Sequence, residues 1–126
     1  MQKKLKEIKH IGGKMELLIV ILNKEEYFER ILSILVEAGV SGATIFESEG
    51  MGHFLAYEVP IFAGLRQLMG GGKSESRTIM AVLEDEKIFK NITRLLNEDG
   101  IDFTKSGVGI MMTVPVNKVK KSSERG

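Results

Sequence analysis

Three glycine clusters at chain reversals hold this chain's clearest chemical potential: Gly39-Val-Ser-Gly42-Ala-Thr44, Gly50-Met51-Gly52 and Gly107-Val108-Gly109. Glycine lets a backbone approach a ligand closely and leaves N–H groups bare, which suits a phosphate. Turn chemistry explains any one cluster equally well, so the set counts for more than its members. Other chemistries fare worse. Gly72-Lys73-Ser74 imitates the end of a phosphate-binding P-loop, but Gln67 stands where that motif needs glycine, and the segment neither follows a strand nor opens a helix. His10 and His53 are the only histidines, and His53 beside Glu58 is too little for a metal site. Cysteine is absent, which excludes disulfides and thiolate nucleophiles or ligands. No Ser-His-acid arrangement is visible.

The elements that must position these residues follow from hydrophobic periodicity. Apolar runs at Met15–Leu22, Ala43–Phe46, Thr78–Leu83 and Ile110–Val114 read as strands. The spacing of Phe28, Ile31, Leu32 and Leu35 predicts a helix over 24–38, with Asn23 and Glu26 as a capping box and Gly39 as a left-handed stop. Ile88, Ile92, Leu95 and Leu96 predict a second helix over 86–97, capped by Asp85 and ended by Gly100. The order is βαββαβ, an α+β ferredoxin-like sandwich: an antiparallel four-stranded sheet with two helices on one face. Right-handed crossovers put both helices on that face.

The other face is apolar too. Leu17, Ile19 and Ile21 oppose Leu18, Val20 and Leu22, and strands three and four alternate in the same two-sided way. Four strands of about six residues give roughly 400 Å² of projected face, comparable to the largest apolar patch an ordinary monomer exposes. Burial in a homo-oligomer is the expectation, with a flap from the long 50–76 connection as the competitor. That connection exceeds the usual ~12–15 residues for a structureless loop, which marks it as functional. Within it, Pro60–Met69 reads as one short amphipathic helix, stopped by a hinge at Gly70-Gly71-Gly72.

The chain has 126 residues, enough for one domain with a real core. Its net charge of +1, with both signs interspersed, gives no electrostatic case for nucleic acid or membrane binding. The central strands carry no aromatics for base stacking, which removes RNA binding. Apolar runs are too short to span a bilayer, and cytoplasm is the default compartment. Residues 1–14 read as an extension, or as a translated leader with Met15 as the natural start; 15–121 form the domain and 122–126 a flexible tail.

Gly39-x-x-Gly42-x-Thr44 followed by Gly50-Met51-Gly52, and Lys105-Ser-Gly107-Val-Gly109 followed by Val114-Pro-Val116, resemble the nitrogen regulatory P-II signal-transduction family over Met15 to about Lys121. The resemblance implies a homotrimer with inward-facing sheets and a small-molecule effector, an adenine nucleotide or cyclic dinucleotide, in clefts between subunits. It further implies a long T-loop that docks on a protein target such as a transporter or enzyme, with no covalent chemistry. Gly42 and Thr44 would then approach base or ribose, and Gly50, Met51 and Gly52 would form the loop-side wall. Gly107 and Gly109 would present N–H groups to phosphate, with charge from Lys105 and Lys121. His53, Tyr57, Phe62, Leu65 and Arg66 would face the partner. No cofactor is required, although magnesium could bridge ligand and loop. The chain departs from the family at Val108 and Ile110, where Asp and Lys are usual, and at His53, where another basic residue is usual. Tyr57 lies too early to be the modified tyrosine, and Lys121 and Arg125 are the stand-ins for the C-terminal arginines. Two alternatives keep the fold. One is a CutA-like trimer associated with divalent cations. The other is an acylphosphatase-like enzyme, which needs an Arg-bearing loop where Asn23-Lys24-Glu25-Glu26 stands.

Overall fold

A computed structural model describes residues 14–68 and 75–122. The expected leader, the triglycine hinge, the Gly72-Lys73-Ser74 imitation and Arg125 all lie outside the described residues. Four strands, β1 (Glu16–Leu22), β2 (Thr44–Ser48), β3 (Ser76–Leu83) and β4 (Gly109–Pro115), form one antiparallel sheet in the order β2-β3-β1-β4. Helix α1 (Phe28–Ala38) links β1 to β2, and α4 (Glu86–Glu98) links β3 to β4. The long β2–β3 connection holds α2 (Met51–Glu58), a 3-10 turn at Pro60–Phe62 and α3 (Leu65–Leu68). The sheet and its two long helices make the expected ferredoxin-like sandwich.

Alternation along the strands builds the core. Leu18, Val20 and Leu22 of β1 stand opposite Ala81, Ile79 and Arg77 of β3. Leu18, Val20, Leu22, Ile79 and Leu83 join Ile31, Leu35, Ile92 and Leu96 from the helices in one buried cluster. Each fully buried Leu or Ile contributes roughly 1.5–3 kcal/mol. Ile34 and Ala38 extend the α1 face beyond the four residues expected from spacing, while Leu32 is only partly buried.

The predicted stops hold and one predicted start does not. Gly39 takes φ 105°, and the N–H groups of Gly39 and Val40 close on the carbonyls of Val36 and Leu35. Gly100 takes φ 75°, and Asp85 Oδ1 accepts the Lys87 N–H at 2.7 Å to cap α4. The Asn23–Glu26 capping box is not made. A 3-10 turn at Glu25–Tyr27 precedes α1 without a side-chain cap, and the Asn23 N–H donates to Val108 O at 2.8 Å instead. Asn23 thus ties the end of β1 to the loop before β4. The single helix expected over 60–69 is also corrected. A 3-10 turn and the short α3 share its described part, and most of the helix in this connection lies earlier, at Met51–Glu58.

Among the described residues, the face turned away from α1 and α4 has no helix layer like the one they form. Leu17, Ile19 and Ile21 align there with Val114, Met112 and Ile110 of β4, and with Val82, Met80 and Thr78 of β3. Ile110, Met112 and Val114 are 53%, 39% and 42% exposed, and Phe46 on the opposite edge strand is 44% exposed. Apolar side chains therefore line both edges and the middle of a partly exposed sheet face, of which only the Ser76–Thr78 end is buried.

Candidate functional site

β2 is shorter than its partner. It pairs with β3 only from Thr44↔Met80 to Ser48↔Ser76, so the last three residues of β3, Ala81–Leu83, have no β2 partner. A step results at the sheet edge, and backbone groups along such an edge are free to meet a ligand's donors and acceptors. A cleft of about 490 Å³ opens at this step. Gly42 and Thr44 line it from the entry to β2, Met80 and Val82 from β3, and Lys121 and Ser122 from the C-terminal segment. That segment gets there by crossing the end of the sheet. β4 finishes opposite the start of β1 (Glu16↔Pro115), and the Val116 N–H then donates to Met15 O. Lys121 Nζ donates to Glu84 Oε2 at 3.2 Å, just beyond the end of β3. A Cβ added at Gly42 would meet nothing within 4 Å, so the fold itself does not demand glycine there.

The remaining expected ligand residues stand elsewhere. Gly50 is the N-cap of α2, with Met51 and Gly52 in its first turn, where the sequence suggested a loop wall. Lys105, Gly107 and Gly109 belong to the turn leading into β4, at the far edge of the sheet. Three strand spacings of ~4.8 Å put roughly 14 Å between the two edges. Gly42, Thr44 and Lys121 thus share a cleft, and Lys105, Gly107 and Gly109 are not part of it. Gly109 has a steric role of its own. At φ 143° its hypothetical Cβ would lie 2.1 Å from Ile21 O, so only glycine lets β4 approach β1 in this register. Val108 is 2% exposed and belongs to the core.

The long connection is a small packed unit. His53 Nδ1 lies 2.7 Å from Glu49 Oε2, and the His53 ring sits 4.6 Å from that of Tyr57. Arg66 joins the group: its guanidinium lies 4.8 Å from the Tyr57 ring, and its Nε donates to Ala56 O at 2.9 Å. Three of the five residues expected to face a partner are therefore engaged with one another. Phe62 is 41% exposed and Leu65 half-buried, while Met51, Phe54 and Ile61 present more apolar surface than either expected residue suggested. At the base of this unit Ser48, Ser76 and Thr78 form a hydroxyl cluster. Ser48 Oγ lies 2.8 Å from Ser76 Oγ and 2.7 Å from Thr78 Oγ1, and both β3 residues are buried. Their shared parity with Met80 and Val82 was the available sequence signal, and it was missed.

Asp102 opens the turn before β4. The Thr104 hydroxyl and backbone N–H both donate to its Oδ1, and these bonds, aided by nearby Lys105, hold the carboxyl below its ordinary value of 3.8. Among the described residues no group of three or more His, Asp or Glu side chains could hold a metal ion. No described helix is long and apolar enough to cross a membrane.

Neither a family model nor a curated protein matches the sequence. Solved structures do match the fold. The apo form of CPII from Thiomonas intermedia K12, a nitrogen regulatory PII-like protein, aligns with TM-score 0.57 and 18% identity over 90% of this chain and 98% of its own. This is the PII-like fold. Arabidopsis thaliana PII bound to citrate aligns with TM-score 0.54 and 16% identity, over 83% of this chain and 79% of its own. The B. subtilis GlnK–ATP complex aligns with TM-score 0.53 and 18% identity, over 83% and 86%. The segment between β2 and β3 is helical in this chain and rich in exposed apolar residues.

Proposed function

We propose that this chain is a regulatory binding module that takes an adenine nucleotide at a subunit seam and signals through residues 49–68. The observation carrying this reading is the convergence of Gly42, Thr44 and Lys121 on one cleft at the β3 step. A planar base suits the step: Met80 and Val82 offer apolar contact, and free peptide groups at the strand edge offer hydrogen bonds. Structures of the same fold are described with such ligands, CPII with ADP, AMP and acetate and GlnK with ATP.

A second copy completes the site. Lys105, Gly107 and Gly109 lie on the opposite edge of the sheet from Gly42 and Thr44, so one protomer cannot bring all of them to one ligand. Joining the β2 side of one protomer to the β4 side of another does so. It also covers Ile110, Met112 and Val114, which otherwise remain exposed. A closed ring of three copies with the open sheet faces turned inward satisfies both needs.

The T-loop segment then reads the site. Strand β2 runs from the cleft at Thr44 to Ser48, which leads directly into Glu49 and α2, so a ligand that shifts β2 moves the helical unit. Exposed Met51, Phe54, Ile61 and Phe62 give that unit an apolar surface for a protein target. The role is binding and transmission in the cytoplasm, without covalent chemistry. Calorimetry of the full chain with AMP, ADP, ATP and cyclic di-AMP, with and without magnesium, tests the reading. Saturable binding of at least one at one site per protomer is expected, and silence from all four contradicts it.

A further inference from the structure

Lys121 is the one charged side chain among the described residues lining the cleft, and it is not free. Glu84, the first residue after β3, holds its ammonium at 3.2 Å, and both side chains are at least half exposed to solvent. An incoming phosphate therefore meets a neutralised pair at this end of the cleft, the Glu84 carboxylate lying 3.2 Å from the lysine's ammonium. Without Glu84 the same lysine would favour each added negative charge. With Glu84 the attraction of one group is offset by repulsion from the other. Uncharged parts of a ligand are unaffected by that balance, whereas every added phosphate charge forgoes the attraction an unpaired lysine would give it.

We propose that Glu84 is a charge-selecting positioning residue: paired to Lys121, it biases the cleft towards adenine nucleotides bearing little phosphate charge, a monophosphate or phosphodiester over a triphosphate. This rests on the nucleotide reading of the cleft. A carboxylate some 6–7 Å from a phosphate, behind an effective dielectric of about 40–80, changes affinity by roughly three- to tenfold per unit charge. The carboxylate is exposed and Glu84→Gln keeps its size, so the fold should tolerate the change.

The experiment is calorimetric titration of the full chain and its Glu84→Gln variant with adenosine, AMP and ATP, at low and at moderate salt. Glu84→Gln leaves adenosine unchanged, tightens AMP by at least about threefold and tightens ATP by more, and added salt shrinks the differences. Adding Lys121→Gln to Glu84→Gln offsets most of the gain, because the lysine's attraction is then lost together with the carboxylate's repulsion. A merely structural role for Glu84 would shift all three ligands together. Binding with the same ratio of ATP to adenosine affinity in both proteins overturns the inference and leaves the nucleotide reading standing. No binding of any of the three by either protein overturns both.

Discussion

Replacing Gly109 with alanine separates what the fold requires from what a ligand requires. At φ 143° the backbone is in a region that side-chain-bearing residues rarely enter, which costs about 1–3 kcal/mol. The new Cβ would sit 2.1 Å from Ile21 O, so β4 must also move by about an ångström or more to reach ordinary contact. That movement strains the adjacent bond from Asn23 N–H to Val108 O, now 2.8 Å, whose loss is worth about 0.5–1.5 kcal/mol. The expected destabilisation is roughly 2–4 kcal/mol, or about 10 °C in melting temperature for a domain of this size. Gly107 has φ 80° with open space around it, so its alanine variant should lose only about 1 kcal/mol. Gly42 has neither constraint, and Gly42→Ala should keep full stability while weakening nucleotide binding. Thermal and urea denaturation of the three variants at one protomer concentration checks the order, since an oligomer's melting depends on concentration. A Gly109→Ala protein as stable as the parent would refute the steric argument. A destabilised Gly42→Ala protein would refute the assignment of that glycine to ligand approach.

Two further expectations concern the polar groups around the site. Thr104 holds the Asp102 carboxyl low, so this residue favours the folded state above its unfolded titration near pH 4, and that contribution fades as pH falls through the lower folded value. Thr104→Val should raise the Asp102 titration midpoint in an NMR pH series, and an unmoved midpoint counts against the hydroxyl as the main cause. Thr78→Val removes one member of the Ser48–Ser76–Thr78 cluster at the T-loop base. It should cost roughly 1 kcal/mol and speed amide exchange in α2; unchanged exchange there would disconnect the cluster from the loop.

Much of the fold was legible because two independent patterns agreed. Leu18, Val20 and Leu22 alternate with Leu17, Ile19 and Ile21, which announced a sheet greasy on both faces, and Asp85, Gly39 and Gly100 marked helix ends by local backbone chemistry. The capping box at Asn23 was not realised, because its N–H is taken by Val108, a contact between residues far apart in sequence. Helix α2 was hidden by Gly50 and Gly52, which read as loop residues although glycine is acceptable at an N-cap and in a first turn. Gly42 stood out as part of a glycine cluster, and Gly42 and Thr44 gained a ligand role only from the P-II resemblance. Their company with Lys121 could not be read from the sequence, since it depends on the C-terminal segment crossing the sheet end. The Lys121–Glu84 pair is invisible for the same reason, as are the mutual contacts of His53, Tyr57 and Arg66.

On the proposed reading, only association of this chain with itself would bring the glycines of the two sheet edges to one ligand and bury the face holding Ile19, Met80 and Met112. Sedimentation equilibrium of the full chain at micromolar concentration measures that directly. The predicted result is a single species at three times the protomer mass. A well-behaved species at the mass of one protomer would contradict it.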